Sequence, residues 1–180
     1  MDENVIEILK SGGVGVIPTD TIYGLVGSAL KKKTVERMYA LRKRNRKKPM
    51  IVLVGAVRDL ARFGVRIKAS DLKILKKYWP GKVSVILPCR SKKFAYLHRG
   101  TQSIAFRFPA KKSLMQMLLK TGPLVAPSAN LEGKPPAKTI REAKKYFGEH
   151  VDFYLDAGRM MGKSSKLIVV KDGAVEVLRK

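Results

Sequence analysis

The chain has 180 residues, 45% of them apolar, enough to bury a substantial core and to exclude a disordered tail or a peptide-sized module. Lys and Arg number 38 against 14 Asp and Glu, a net charge of +24. That surplus favours polyanionic partners such as RNA, nucleotides or acidic membranes, and it equally suits a soluble, self-repelling surface. In chain order, Val5, Ile6 and Leu9 predict a short helix stopped by Gly12 and Gly13, and residues 14–17 a buried strand ending at Pro18. Val35, Met38 and Leu41 predict a helix from Thr34 into the basic stretch near Arg44, followed by an apolar strand over 51–54. Leu72, Leu75 and Trp79 share a helical face closed by Pro80 and Gly81. Residues 83–87 and 104–108 read as strands. Ser113 with Gln116 fits a capping box opening a helix that ends near Gly122, and Thr139 with Glu142 a second one for a helix closing at Gly148. Strands are expected at 124–126, 153–155, 167–170 and 174–178, the last two joined by a hairpin turn at Asp172-Gly173. The alternation predicts a single α/β domain over 1–180 with a mixed sheet.

Cys89 is alone, so no internal disulfide can form, and with His98 and His150 a Cys/His zinc site would need carboxylates to complete it. No apolar stretch approaches the ~18 residues of a membrane span. The acidic start, Met1 to Asn4, is unlike a signal peptide. These features suggest a cytoplasmic protein with no membrane partner.

Three segments do not look like core. The first, PTDTIYGL at 18–25, directly follows a buried strand, where α/β sheets commonly place ligands. It crowds Thr19, Asp20, Thr21 and Tyr23 together, and Gly24 permits close backbone approach. An Asp-stabilised turn would also account for it. The second, residues 31–48, carries ten cations and one acid, Glu36. Arg42 to Lys48 cannot all share one helical face; a phosphate site needs one or two of them, an RNA surface many, and a solvated face none. The third, Ala126 to Asn130, offers Ser128 and Asn130 in a tight loop, for which turn chemistry alone would suffice. Gly158 to Ser164 imitates a P-loop, but its glycines are one residue too close, and a strand rather than a helix is expected after it. A P-loop NTPase is therefore excluded.

Together the segments occur in the order and spacing of the YrdC/Sua5/TsaC family of threonylcarbamoyl-AMP synthases, which the chain resembles over nearly its full length. PTDTxYGL is matched at 18–25 and PSAN at 127–130. The family's KxRP becomes Arg42, Lys43, Arg44, Asn45, so the charge survives while the lysine and the proline are replaced. WPG is matched at 79–81, and Arg107 to Pro109 resembles the Arg-x-Pro strand end, without the histidine that often follows. Gly162 and Ser165 are what remains of the GxEST signature, and VLR closes the chain at 177–179.

The resemblance implies an open, twisted sheet with a positively charged concave face, of the short, single-domain type. It also implies that L-threonine, bicarbonate and ATP react to give L-threonylcarbamoyladenylate and pyrophosphate, for the t6A modification of tRNA. Mg2+ would arrive with ATP, with no protein metal site, and a carbamoyl transferase would consume the product. Threonine's carbamate attacks the α-phosphate, so no protein nucleophile is needed, in keeping with the lack of a Ser-His-Asp or Cys-His arrangement. Within that reading, Thr19, Thr21 and Tyr23 line the threonine end, and Asp20 orients their loop or assists Mg2+. Arg42 and Arg44 grip the triphosphate, and Arg107 pairs with the threonine carboxylate or the carbamate. Pro127, Ser128, Asn130 and Ser165 wall the nucleotide, while Arg44, Arg107 and Thr21 bear on the reaction itself. The competing class is a non-catalytic RNA-binding protein acting in translation or ribosome assembly.

Overall fold

Asp2 starts the first helix, α1 (Glu3–Ser11), by accepting the Asn4 N–H at 3.0 Å, and Gly12 ends it at φ 107°, a left-handed conformation natural to glycine. Such local instructions recur along the chain, a computed structural model describing residues 2–171 and 174–180. The strands and helices that follow are β1 (Val14–Pro18), β2 (Tyr23–Ser28), α2 (Lys32–Leu41), β3 (Val52–Leu53), α3 (Ala69–Leu75), β4 (Val83–Pro88), α4 (Ala95–His98), β5 (Ser103–Arg107), α5 (Lys112–Thr121), β6 (Leu124–Val125), α6 (Ile140–Phe147), β7 (Phe153–Tyr154), β8 (Lys166–Lys171) and β9 (Ala174–Arg179). Short 3-10 segments cover Val57–Phe63, Lys92–Phe94 and Gly148–His150.

Among the described residues the strands form one nine-stranded sheet in the order β7-β1-β2-β6-β3-β5-β4-β8-β9. The pairs β1–β7, β3–β5 and β4–β8 are parallel and the rest antiparallel. The α/β fold with a mixed sheet is as the sequence suggested.

Side chains alternate across each strand, and this divides the core in two. Val14, Val16, Leu25, Val52, Val85, Ile104 and Phe106 pack beneath α2, α3, α4 and α6, while Ile17, Val26, Leu53 and Leu124 pack beneath α1 and α5. The second layer covers only the β1 side of its face. Over β5, β4 and β8 the same face carries Ala105, Ile86 and Leu167, and these line a cavity instead of a helix interface. The uncovered half of one sheet face is the floor of the site.

Four local expectations need correcting. The helix through Val35 and Met38 stops at Leu41, short of Arg44, because Lys43 takes φ 48°, which no right-handed helix accommodates. Trp79 lies beyond α3 in a turn, where its indole N–H donates to the Val83 carbonyl at 2.7 Å. Ser113 lies inside α5, which begins after Lys111 with no side-chain cap, so the first capping box does not form. The second does its main work: Thr139 accepts the Glu142 N–H at 3.2 Å, although the Glu142 carboxylate takes the Lys138 N–H. β2 was not anticipated beyond the ligand-like segment. The turn at Asp172-Gly173 lies outside the described residues.

Candidate active site

The first ligand-like segment is the turn between β1 and β2, and a threonine builds it. Thr19 Oγ1 accepts the N–H groups of Thr21 and Ile22, at 3.1 and 3.3 Å, and donates to the Ile22 carbonyl at 2.6 Å. Its contact with Thr21 Oγ1, at 3.0 Å, holds that second hydroxyl toward Arg107, whose Nη1 lies 3.4 Å away. Arg107 closes β5 and is backed by Asp20, with Nη2 3.2 Å from Oδ1 and both side chains 4% exposed. The two Asp20 oxygens and Arg107 Nε make no hydrogen bond among the described residues, so charge rather than aligned hydrogen bonding holds the pair. Burial pushes the Arg107 guanidinium down from its ordinary value and Arg179 adds to the shift, while Asp20 opposes both.

These groups border a small cavity of about 60 Å3, lined also by Tyr23, Pro127, Ser128, Ser164, Ser165 and Arg179. The Tyr23 hydroxyl is already engaged. It donates to the Gly158 carbonyl at 2.8 Å, contacts Asp156 at 3.1 Å and accepts the Ala157 N–H at 2.9 Å. It therefore pins the segment that passes over the cavity. Gly162 in that segment sits so close to the Thr21 carbonyl that an added Cβ would overlap its oxygen. Gly162→Ala should lift the segment from the β1–β2 turn and cut turnover roughly 100-fold, as misplacement by about 1 Å can do. Steady-state rates beside a melting curve will check this: a fully active variant would show that the close approach is dispensable.

A larger cavity of about 350 Å3 adjoins the first, with Arg44, Met50, Thr101 and Ser103 on its walls. Ile51, Pro127, Ser128 and Arg179 line both, so the two communicate. Arg42 also reaches its wall, though it is 3% exposed. Nε and Nη2 donate to the Asn130 carbonyl and side-chain oxygens at 3.0 and 3.1 Å, and Nη1 has no partner among the described residues. Burial lowers this guanidinium to about 10, with Arg44 adding to the shift and Glu132 and Tyr39 opposing it. Arg44, more exposed, donates to the Lys48 and Pro49 carbonyls at 3.2 and 2.9 Å.

The geometry thus gathers Thr19, Thr21, Tyr23, Arg42, Arg44, Arg107, Pro127, Ser128 and Ser165 around two joined cavities. It does not bring Asp20 or Asn130 to their walls. Asp20 lies behind Arg107, and the Asn130 amide is spent on Arg42, Leu131 and Lys134. Sequence reasoning missed Arg179, whose Nη2 donates to the Ser165 carbonyl at 2.8 Å and which borders both cavities. The signal was its place in the closing VLR. Among the described residues neither lining contains Asp, Glu, His or Cys, and the walls they form present cations and hydroxyls with no general base beside a nucleophile. Groups of that kind neutralise and orient anionic substrates rather than attack them.

A family model described as "Telomere recombination", covering Sua5, YciO and YrdC, matches residues 7–180. The chain belongs to the Sua5/YciO/YrdC family. Within it, the threonylcarbamoyl-AMP synthase of Nitrosococcus oceani is 29% identical over 167 residues, 92% of this chain and 89% of the relative. Among solved structures, Pyrococcus abyssi Sua5 complexed with L-threonine superposes with a TM-score of 0.89 at 25% identity, covering 98% of this chain and 52% of that one. The chain thus spans about half the length of that relative. Escherichia coli YciO, at 23% identity and a TM-score of 0.85 over 98% of this chain and 87% of its own, shares the fold.

Proposed function

We propose that the chain is a threonylcarbamoyl-AMP synthase, converting L-threonine, bicarbonate and ATP to L-threonylcarbamoyladenylate, pyrophosphate and water. The supporting observation is the common border of the two cavities. The small one suits an amino acid among hydroxyls beside a buried arginine, and the larger one suits a nucleotide over the apolar floor of β4, β5 and β8. Ser128 and Arg179 stand where the two contents would meet. Naming of the Nitrosococcus relative and the threonine bound to the Pyrococcus one support the same reading.

In this reading Arg107 takes the threonine carboxylate or the carbamate, and Thr21 orients it. Arg44 and Arg42 hold the triphosphate, and Ser128 and Arg179 flank the α-phosphate. An oxygen of the carbamate attacks that phosphorus, the bond to the β-phosphate oxygen breaks, and pyrophosphate leaves. The chain contributes proximity and charge neutralisation, with no covalent enzyme intermediate. Among the described residues no group of three metal-ligating side chains occurs, and the cavity walls offer hydroxyls but no carboxylate. Mg2+ would therefore be carried by phosphate oxygens and water, supplying further charge neutralisation when bound.

The product is an activated adenylate, which a carbamoyl transferase would pass to tRNA as t6A. No helix among the described residues is long and apolar enough to cross a membrane; a cytoplasmic site of action belongs to the proposed reading. The cations outside the cavities suit RNA as a further ligand. Its binding would weaken steeply with salt, whereas ATP turnover in an enclosed site would not. The test is pyrophosphate release by purified protein with Mg2+, ATP, bicarbonate and L-threonine, omitting one substrate at a time. Release is expected only with all present, and release independent of threonine would refute the reading.

A further inference from the structure

Glu132 follows the PSAN loop and lines neither cavity, yet it touches the arginine-bearing turn at several points. Its carboxylate accepts the Asn45 N–H at 2.6 Å through Oε2 and Lys48 Nζ at 3.0 Å through Oε1, with Arg44 Nη1 3.9 Å away. Its own N–H donates to the Arg42 carbonyl at 2.9 Å. Arg44 in turn donates to the Lys48 and Pro49 carbonyls, so its guanidinium is tied to the backbone of the same turn that Glu132 holds through the Asn45 N–H. In the KxRP pattern position 45 would be proline, which has no N–H to satisfy; Asn45 introduces a donor, and Glu132 meets it.

We propose that Glu132 is a positioning residue that sets the reach of Arg44 into the larger cavity. This rests on reading that cavity as the ATP site. The carboxylate's contacts with the Asn45 N–H and Lys48 are short and charge-assisted, the kind that fix geometry as well as contribute energy. The Asn45 N–H, Lys48 and Arg44 hold the carboxyl below its usual range, so the brace persists at neutral pH.

The experiment measures Mg·ATP affinity by calorimetry, without threonine, together with the KM for each substrate. Glu132→Ala should weaken ATP about tenfold or more and leave the threonine KM within about twofold. Glu132→Gln, which keeps an acceptor for the Asn45 N–H, should recover most of the loss. Unchanged ATP affinity in the alanine variant would overturn the proposal. So would tighter ATP binding, or equal losses for both substrates with a falling melting temperature. Should the wild-type protein bind no ATP, the nucleotide reading itself fails. The brace is then judged on the Asn45 amide resonance, which should follow an acidic titration in the wild type and stay fixed in Glu132→Gln; an amide that ignores pH in both would remove it.

Discussion

Arg107→Ala should produce an inactive and markedly less stable protein. The substitution strips the partner from a carboxylate, Asp20, whose side chain is 4% exposed and whose oxygens have no hydrogen bond among the described residues. Breaking a buried pair from one side typically costs about 3–5 kcal/mol, because the remaining charge stays out of water. The same change removes the cation assigned to the threonine carboxylate or carbamate. The two effects separate in a double variant. Asp20→Asn with Arg107→Ala no longer buries a lone charge and should regain much of the melting temperature, while turnover stays lost. Recovery of both would mean that Arg107 serves only the fold. A single variant as stable as the wild type would mean that Asp20 is neutral or solvated when alone.

Arg44→Ala should have the opposite profile, a large kinetic loss with little structural cost. Its guanidinium is partly exposed and is tethered to backbone carbonyls that can turn to water. Truncating one side of a charge-assisted contact typically costs about 2–5 kcal/mol, and the partial exposure argues for the lower end. About 2–3 kcal/mol corresponds to roughly 30–150-fold in kcat/KM for ATP. Arg44→Lys should recover only part of this, since an ammonium cannot span two phosphate oxygens as a planar fork does. Steady-state kinetics with ATP varied at saturating threonine and bicarbonate will decide it. A loss confined to threonine would move Arg44 out of the nucleotide site.

Much of this arrangement is legible in the sequence alone. The strand ending at Pro18, the hydroxyl-rich turn after it and the PSAN loop all sit where their patterns indicate, and Gly24 at the start of β2 lies opposite Ser128 as a β-bridge that joins the turn's end to the PSAN loop. What escaped was direction. Asp20 and Asn130 are as polar as their neighbours, but spacing along a chain does not tell which way a loop side chain turns. Both turn inward, Asp20 behind Arg107 and Asn130 around Arg42. Arg179 escaped because it reaches the cavities through the register of β8 and β9, where Leu167 pairs with it across the sheet. Nothing in the sequence pattern sets Glu132 apart from other acids. Its role depends on a left-handed Lys43, which bends residues 42–48 back onto the PSAN loop and which no propensity announces.

In the proposed mechanism, cations and hydroxyls let threonine's carbamate and ATP react directly, and the polypeptide never becomes part of a covalent intermediate. Mass spectrometry of a single reaction with 13C-bicarbonate tests this most directly, reading small molecules and intact protein together. A threonine-bearing adenylate carrying one 13C and a protein of unchanged mass are expected. A protein that gains an adenylyl or phosphoryl group, or an adenylate without the label, would contradict it.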